Sequence, residues 1–176
     1  PVQSGSNEVL RAMRRGHTSE SYFKKIDVIK NSPRRLSLST DIIVGFPGET
    51  KEHFQDTLKM VEYCRFDSAY IFKYSPRPGT PAFYITDNVS PEEKKERFMI
   101  LDQLQKRIQQ EIFKSYINRT VKVLVEKVSL KDGSQFSGHS TCHKVVNFKG
   151  SSEFLGKIVD IKITEAKVNT LFGRVI

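Results

Sequence analysis

Two apolar periods run along this chain, and they change over near Asn118. Before that residue the spacing is helical and broken by short apolar runs; after it, apolar and polar residues alternate. Ser6 or Asn7 caps a short turn through Met13, and Thr18 or Ser19 starts a segment in which Tyr22, Ile26 and Ile29 share a face. Pro33 closes that segment, and Leu36 to Val44 reads as a buried strand. Thr50 caps the next helix, where Phe54, Leu58 and Val61 recur at helical spacing, and Phe66 to Tyr74 forms a second strand rich in aromatic residues. Ser90-Pro91-Glu92-Glu93 is a helix start, with a capping Ser, Pro at the first helical position and an acid three residues after the cap. Phe98, Leu101, Leu104, Ile108 and Ile112 then form one apolar stripe. Strands alternating with helices imply right-handed parallel crossovers and an α/β fold.

From Asn118 onward Val121, Val123 and Val125 alternate with Lys122, Leu124 and Glu126. Further short runs follow at Phe136, Val145–Phe148, Ile158–Ile163 and Leu171–Val175, separated by turn signals at Lys131–Ser134, Lys149–Ser152 and Val168–Thr170. About five antiparallel strands predict a small, closed or partly closed barrel of OB-like size. Basic residues alternate with aliphatic ones along them, so one face is expected to be cationic while the other fills the barrel. The expected domains are 1–113, α/β, and 114–176, all-β.

The most informative junction is Asp41 to Thr50, where a buried strand ends in a Gly/Pro turn and leads at once into a helix. In parallel α/β folds such junctions sit at the carboxyl ends of the strands, where ligands bind. The pattern recurs in Tyr70–Ser75 followed by Pro76–Thr80, and Pro1–Asn7 resembles a third strand exit. Three such loops facing one way predict an active-site rim.

Composition narrows the field. The chain has 176 residues and 38% apolar content, enough for a core in one or two domains. No apolar run is long enough to span a membrane. The chain starts at Pro1 without a signal-like segment and is expected to be a fragment or an engineered piece. Two cysteines, Cys64 and Cys142, read as reduced thiols of a cytosolic protein. The net charge of +9 is uneven: residues 1–113 carry 18 Lys/Arg against 15 Asp/Glu, and residues 114–176 carry 11 against 5. That excess points to a polyanion, nucleic acid first, with solubility as the competing role. His17, His53, His139 and His143 show no metal-ligand spacing; His139 and His143 are four apart, but in a strand region, so no helical face unites them.

Three long motifs carry a resemblance: Pro1–Asn7 with Leu10 and Met13-Arg14-Arg15, then Ser39–Thr50, then Phe72–Ala82. In this order they closely resemble the tRNA methylthiotransferases of MiaB type. Val123–Glu126, Gly138-His139-Ser140, Gly156 and Ile163–Ala166 look like the TRAM domain that closes those enzymes. The resemblance implies the carboxyl-terminal half of a partial (β/α)6 radical SAM barrel followed by a small all-β TRAM barrel. It also implies S-adenosyl-L-methionine (SAM) and two 4Fe-4S clusters in the complete enzyme, one to cleave SAM and one to supply sulfur. The expected reaction adds a methylthio group to C2 of N6-isopentenyladenosine beside the tRNA anticodon. The alternatives are the same reaction on N6-threonylcarbamoyladenosine, or a non-catalytic tRNA-binding module. The family's cluster cysteines lie upstream of the segment matched here, and two distant cysteines cannot replace them. The chain alone is therefore expected to be inactive. Expected partners are tRNA, the missing amino-terminal half and an external electron donor, in a cytoplasmic enzyme that is monomeric when complete.

The resemblance places Gln3 and Ser4 near the SAM ribose, with helix capping as their plain alternative. It places Ile43, Val44, Gly45 and Phe46 along the adenine. Gly45 and Gly48 also suit a simple turn, and Glu49 suits the electrostatics of a helix start. Phe72 and Tyr74 either stack on adenine or belong to the core. Arg77, held between prolines, faces phosphate or substrate. Relatives that modify a ribosomal protein usually carry an acid in this stretch, so Arg77-Pro78 favours tRNA. Lys122, Lys127, Lys144, Lys149 and Arg174, with Lys162 and Lys167, are the barrel's candidates for tRNA. Residues 1–113 alone are expected to behave poorly, because the strand at Leu36–Val44 lacks its natural neighbour.

Overall fold

The computed structural model describes residues 1–128 and 134–176. Two compact units emerge, Pro1–Ile108 and Gln109–Ile176. The first contains α1 (Asn7–Ala12), α2 (Ser19–Lys30), β1 (Ser39–Val44), α3 (Lys51–Cys64), β2 (Ser68–Lys73) and most of α4 (Pro91–Lys114). Each helix start has its side-chain cap. Ser6 accepts from Val9 N–H, Thr18 from Ser21 N–H, Thr50 from His53 N–H and Ser90 from Glu93 N–H.

β1 and β2 pair in parallel, from Ser39 opposite Ser68 to Val44 opposite Lys73. Both strands are shorter than the apolar runs that announced them, because Leu36–Leu38 and Phe66–Asp67 stay outside the ladder. On its other edge β1 meets the segment around Gln3: Gln3 N–H donates to Asp41 C=O at 3.0 Å, and Ile43 N–H donates to Gln3 C=O at 3.0 Å. β1 therefore has a neighbour on each side, contrary to the expectation that it lacks one. Gln3 alone, as an isolated bridge opposite Ile42, supplies both of these backbone hydrogen bonds. Thr40, Ile42 and Val44 point into the core, while Asp41 and Ile43 face the other way. The buried side chains of this unit include Val2, Leu10, Phe54, Met60, Phe66 and Leu101. β2 is different: Tyr70 and Phe72 are 63% and 52% exposed, so its aromatic residues are not core.

α1 ends in a Schellman turn. Arg15 N–H donates to Leu10 C=O at 2.9 Å and Arg14 N–H to Arg11 C=O at 2.9 Å, with Arg14 at φ 55°. A left-handed residue with a side chain costs roughly 1 kcal/mol relative to glycine there.

The second unit is a closed barrel of β3 (Thr120–Val128), β4 (Gln135–Ser140), β5 (Val145–Lys149), β6 (Ile158–Ala166) and β7 (Leu171–Val175), in the order β3-β4-β5-β7-β6. The pairs are antiparallel except β5–β7, which is parallel, with Val146 opposite Leu171 and Lys149 opposite Arg174. The all-antiparallel expectation fails for a topological reason. Strand direction cannot alternate around a ring of five, so one parallel pair is obligatory. Val123, Val125, Phe136, Val146, Phe148, Ile161, Ile163 and Leu171 fill the barrel, with Phe113 and Tyr116 packed onto the same core. Gly138 lets two strands approach: a Cβ there would lie 1.9 Å from Leu124 C=O. Of the turn expected at Lys131–Ser134, residues 131–133 lie outside the described residues.

Candidate functional site

The three strand exits converge on one cavity of about 820 Å³. Gln3, Ile43, Phe46, Phe72, Tyr74 and Arg77 all line it, joined by Asp41, Lys73 and Ser75. The end of α1 adds Met13, Arg14 and Arg15. Alternation along β1 explains the apolar wall, since Ile43 stands opposite Phe72 in the register, on the face turned away from Ile42 and Val44. The Phe46 and Tyr74 rings meet edge to face, 5.1 Å apart at 71°. Tyr74 Oη donates to Ala82 C=O at 3.0 Å, which ties the β2 exit to the short turn Pro81–Tyr84. Gln3 is 4% exposed and sits at φ 66°, a second left-handed residue with a side chain on the same cavity.

Three residues expected along the cofactor do not line the cavity. Val44 is fully buried on the core face. Ser4, also fully buried, has its Oγ 3.3 Å from Thr57 Oγ1 and accepts the Ser6 N–H at 3.2 Å, so it holds the chain entering α1. Gly45 shapes the turn. It takes φ 70°, and a Cβ there would lie 2.3 Å from Lys94 Cγ.

That turn is held by groups that periodicity alone did not mark. Glu49 Oε2 accepts from Gly45 N–H at 2.6 Å and from Arg97 Nη1 at 2.6 Å, while Arg97 also donates to Glu49 C=O at 3.0 Å. The Glu49 and Arg97 side chains are 0% and 5% exposed. Glu49 Oε1 is buried with no hydrogen-bond partner among the described residues. Burial pushes the Glu49 carboxyl above the ordinary range, and the Gly45 N–H and Arg97 oppose that rise. Arg97 further pairs with Glu93, and Lys94 pairs with Asp87 and lies 5.3 Å from the Tyr74 ring centroid. Glu49 thus does more than favour a helix start. The available signal was positional: Lys94 and Arg97 fall on the buried stripe of α4 that continues with Leu101 and Gln105.

On the barrel, Lys122, Lys127, Lys149 and Arg174 are exposed. Lys122 Nζ lies 3.2 Å from Asp160 Oδ1. Arg174 stands opposite Lys149 on β5 and opposite Lys162 on β6, so three cations form one cross-strand row. Like charges directly opposite destabilise a sheet, and nothing in barrel packing requires them here. Lys144 does not join this surface. It is 4% exposed, with its ammonium 5.4 Å from the Phe113 ring centroid, because its long stem packs inward beside the hairpin turn. The same turn stacks His139 on His143, ring centroids 4.5 Å apart, so the two histidines do meet although no helical face joins them.

Neither cysteine fits a cluster ligand. Cys64 ends α3, buried, its thiol pushed up to about 12 by burial, and Cys142 sits in the β4–β5 turn of the other unit. Among the described residues, no three His, Cys, Asp or Glu side chains gather to hold a metal ion. Among the same residues, no helix is long and apolar enough to cross a membrane.

Residues 1–61 match the radical SAM superfamily, and residues 114–176 match the TRAM domain. Over all 176 residues the chain is 45% identical to the tRNA-2-methylthio-N(6)-dimethylallyladenosine synthase of Alkaliphilus oremlandii, covering 37% of that protein. It is 44% identical to the synthase of the same name from Acetivibrio thermocellus, again over 176 residues and 37% of its length. A third relative of that name, from Oceanobacillus iheyensis, is 45% identical over 173 residues, 98% of this chain and 33% of the relative. The chain thus spans little more than a third of these curated relatives.

Proposed function

We propose that the chain, which matches the radical SAM superfamily over residues 1–61 and the TRAM domain over residues 114–176, forms part of a tRNA methylthiotransferase. The whole enzyme adds a methylthio group to C2 of N6-isopentenyladenosine next to the anticodon. The names of the relatives favour this substrate over N6-threonylcarbamoyladenosine and over a purely binding role. One observation carries the reading: three consecutive strand exits line one cavity, in the same chain as a closed barrel with a cross-strand row of cations.

The residues present fit SAM. Ile43, Phe46, Phe72 and Tyr74 offer an apolar, aromatic wall suited to an adenine, and Gln3 adds a polar side chain beside it. SAM supplies the radical chemistry that functionalises an unactivated purine carbon. The chain's own part is to hold and orient. The aromatic wall excludes water from the adenine, and the Glu49–Arg97 lock keeps the Gly45 turn, and hence Phe46, in place. Arg77, on the exposed Pro-rich loop, binds tRNA phosphate or substrate. Lys149, Arg174 and Lys162 bind the tRNA backbone on the barrel. The 4Fe-4S clusters do not fit either cysteine of this chain and belong to the rest of the same protein. An electron donor is an external partner, and the enzyme works in the cytoplasm.

Mass spectrometry of tRNA nucleosides from a strain lacking the gene tests this reading. The expected result is loss of 2-methylthio-N6-isopentenyladenosine with accumulation of N6-isopentenyladenosine. Loss of a methylthiolated threonylcarbamoyl nucleoside instead overturns the substrate, and an unchanged profile overturns the function.

A further inference from the structure

Thr18 and Thr50 each open a helix with a complete capping box, but the two boxes differ in their acceptor. In α2 the Thr18 N–H donates to Ser21 Oγ at 3.0 Å, a hydroxyl that accepts at any pH. In α3 the matching partner is an imidazole. Thr50 N–H donates to His53 Nδ1 at 3.2 Å, and His53 N–H returns a bond to Thr50 Oγ1 at 3.3 Å. Glu and Gln are the usual residues here, with oxygens that carry lone pairs to spare. A neutral imidazole has a single accepting nitrogen, so accepting at Nδ1 places its proton on Nε2. Nε2 lies 3.1 Å from Glu8 Oε2 in the first turn of α1, and only 17% of the His53 side chain is exposed. The tautomer that completes the α3 cap is therefore the one that donates to α1.

The same turn of α3 holds the strand exit that leads into α1. Thr57 Oγ1 donates to His53 C=O at 3.3 Å and accepts from Gly5 N–H at 3.0 Å. Gly5 lies so close to α3 that a Cβ would meet the Asp56 carbonyl oxygen at 2.3 Å. Gln3, just before Gly5, and Phe46, just before Thr50, both line the cavity. One helical turn, His53 to Thr57, thus joins two of the three strand exits.

We propose that His53 is a positioning residue: its neutral Nε2–H tautomer fastens the exit leading into α1 to the exit leading into α3, and protonation at Nδ1 undoes that fastening. This goes beyond the tRNA reading, because it concerns the exits themselves, whatever enters between them. Imidazole is the side chain that changes charge between about pH 5 and 8. A proton on Nδ1 faces the Thr50 N–H as a second donor, so the bond that closed the box is lost. It also sets a positive charge at the amino-terminal end of α3, where the helix dipole opposes it. Glu8, the partner at Nε2, is 70% exposed and holds the charged ring weakly. Arg11 of α1, Glu20 of α2 and the Asp56–Lys59 pair of α3 border the same cleft, with Glu20 engaged by Asn7. Glu49 and Glu52 are within reach of the imidazole charge; Gly45 and Arg97 hold the first, and the second is bound by its own N–H and the Thr50 hydroxyl. Protonation uses up the Nδ1 lone pair whatever these groups contribute.

The test uses the full-length protein and the variants H53Q and H53A. Gln offers an oxygen acceptor and an amide donor at every pH, so H53Q keeps both contacts and loses only the titration. Hydrogen exchange at the amides of residues 50 and 53, corrected for intrinsic rates, is followed from about pH 7.5 to about pH 5.5, across the imidazole range. Wild-type protection should fall about fivefold, the loss expected of one cap, while the Thr18 amide and H53Q stay level. H53A should show the low protection at both ends. With nitrogen-labelled histidine, the imidazole resonances absent from H53Q should report a bare Nδ1 at the alkaline end. SAM affinity, measured by equilibrium dialysis, should fall with pH in the wild type relative to H53Q. Equal pH dependence of protection in wild type and H53Q, a protonated Nδ1 at the alkaline end, or wild-type protection in H53A overturns the fastening. Lost protection with SAM affinity unchanged relative to H53Q overturns the positioning role. A wild type that binds no SAM refutes the cofactor reading alone, and the exchange data still decide the fastening.

Discussion

Replacing Arg97 with methionine probes the lock behind the cavity most directly. The substitution removes two hydrogen bonds to Glu49 and the ion pair with Glu93, and it leaves a carboxylate of 0% side-chain exposure with the Gly45 N–H as its remaining donor. Removing one partner of a buried pair typically costs about 3–5 kcal/mol, most of it the desolvation of the group left behind. Glu49 can limit that loss by taking up a proton, which burial already favours, so the lower end, about 3 kcal/mol, is expected. The pH dependence has a definite sign. A carboxyl whose folded pKa is raised contributes stability below its unfolded pKa and loses it as pH rises through the folded value. The R97M penalty must therefore grow from mildly acidic to alkaline pH. The double variant E49L/R97M, apolar at both positions, should be less destabilised than the sum of its single variants by about 2 kcal/mol. Urea unfolding combined with hydrogen exchange at the Ile42–Phe46 amides measures these quantities. An R97M penalty below about 0.5 kcal/mol, a pH-independent one, or an additive cycle would refute the reasoning.

Three further outcomes follow from the geometry. Gly138→Ala should destabilise the barrel by about 3 kcal/mol or more, since its Cβ would overlap Leu124 C=O at 1.9 Å, and hydrogen exchange at β3 and β4 amides reads the loss. R174Q, which breaks the row with Lys149 and Lys162, should stabilise the barrel by a few tenths of a kcal/mol while weakening RNA binding; a variant that loses both stability and binding would argue against a functional row. In the native protein a thiol reagent should modify Cys142 and spare Cys64, whose thiol is held near 12; mass spectrometry before and after denaturation distinguishes the two sites.

Helix starts were readable because capping is local chemistry: Thr50 and Ser90 cap as their spacing implied, and of the pairs Ser6/Asn7 and Thr18/Ser19 the first member caps. The barrel strands were readable because a strand with one buried face must alternate with a period of two, which a helix does not do. Gln3, Ile43, Phe46, Phe72, Tyr74 and Arg77 share the cavity because strand exits of a parallel sheet point the same way. The misses came from long side chains and long-range closure. Lys94 and Arg97 are buried with their charged ends paired to Asp87, Glu49 and Glu93, and Lys144 is buried beside Phe113, which no polarity pattern records. The His139–His143 stack depends on a left-handed turn at His143, and the neighbour of β1 is a stretch too short to show any period. That a closed ring of five strands holds at least one parallel pair could have been counted in advance, although not that the pair is β5–β7.

That odd ring has a consequence for how the protein breathes. A ladder with free sides unzips residue by residue from its margin, and the two-stranded sheet of the first unit has such margins. A cylinder has none, so no strand can peel away without parting from two neighbours at once. Exchange of the barrel amides with solvent should consequently run through a single concerted rupture, with nearly uniform protection from β3 to β7. The grip on a nucleic acid would then be lost all at once, and never partially.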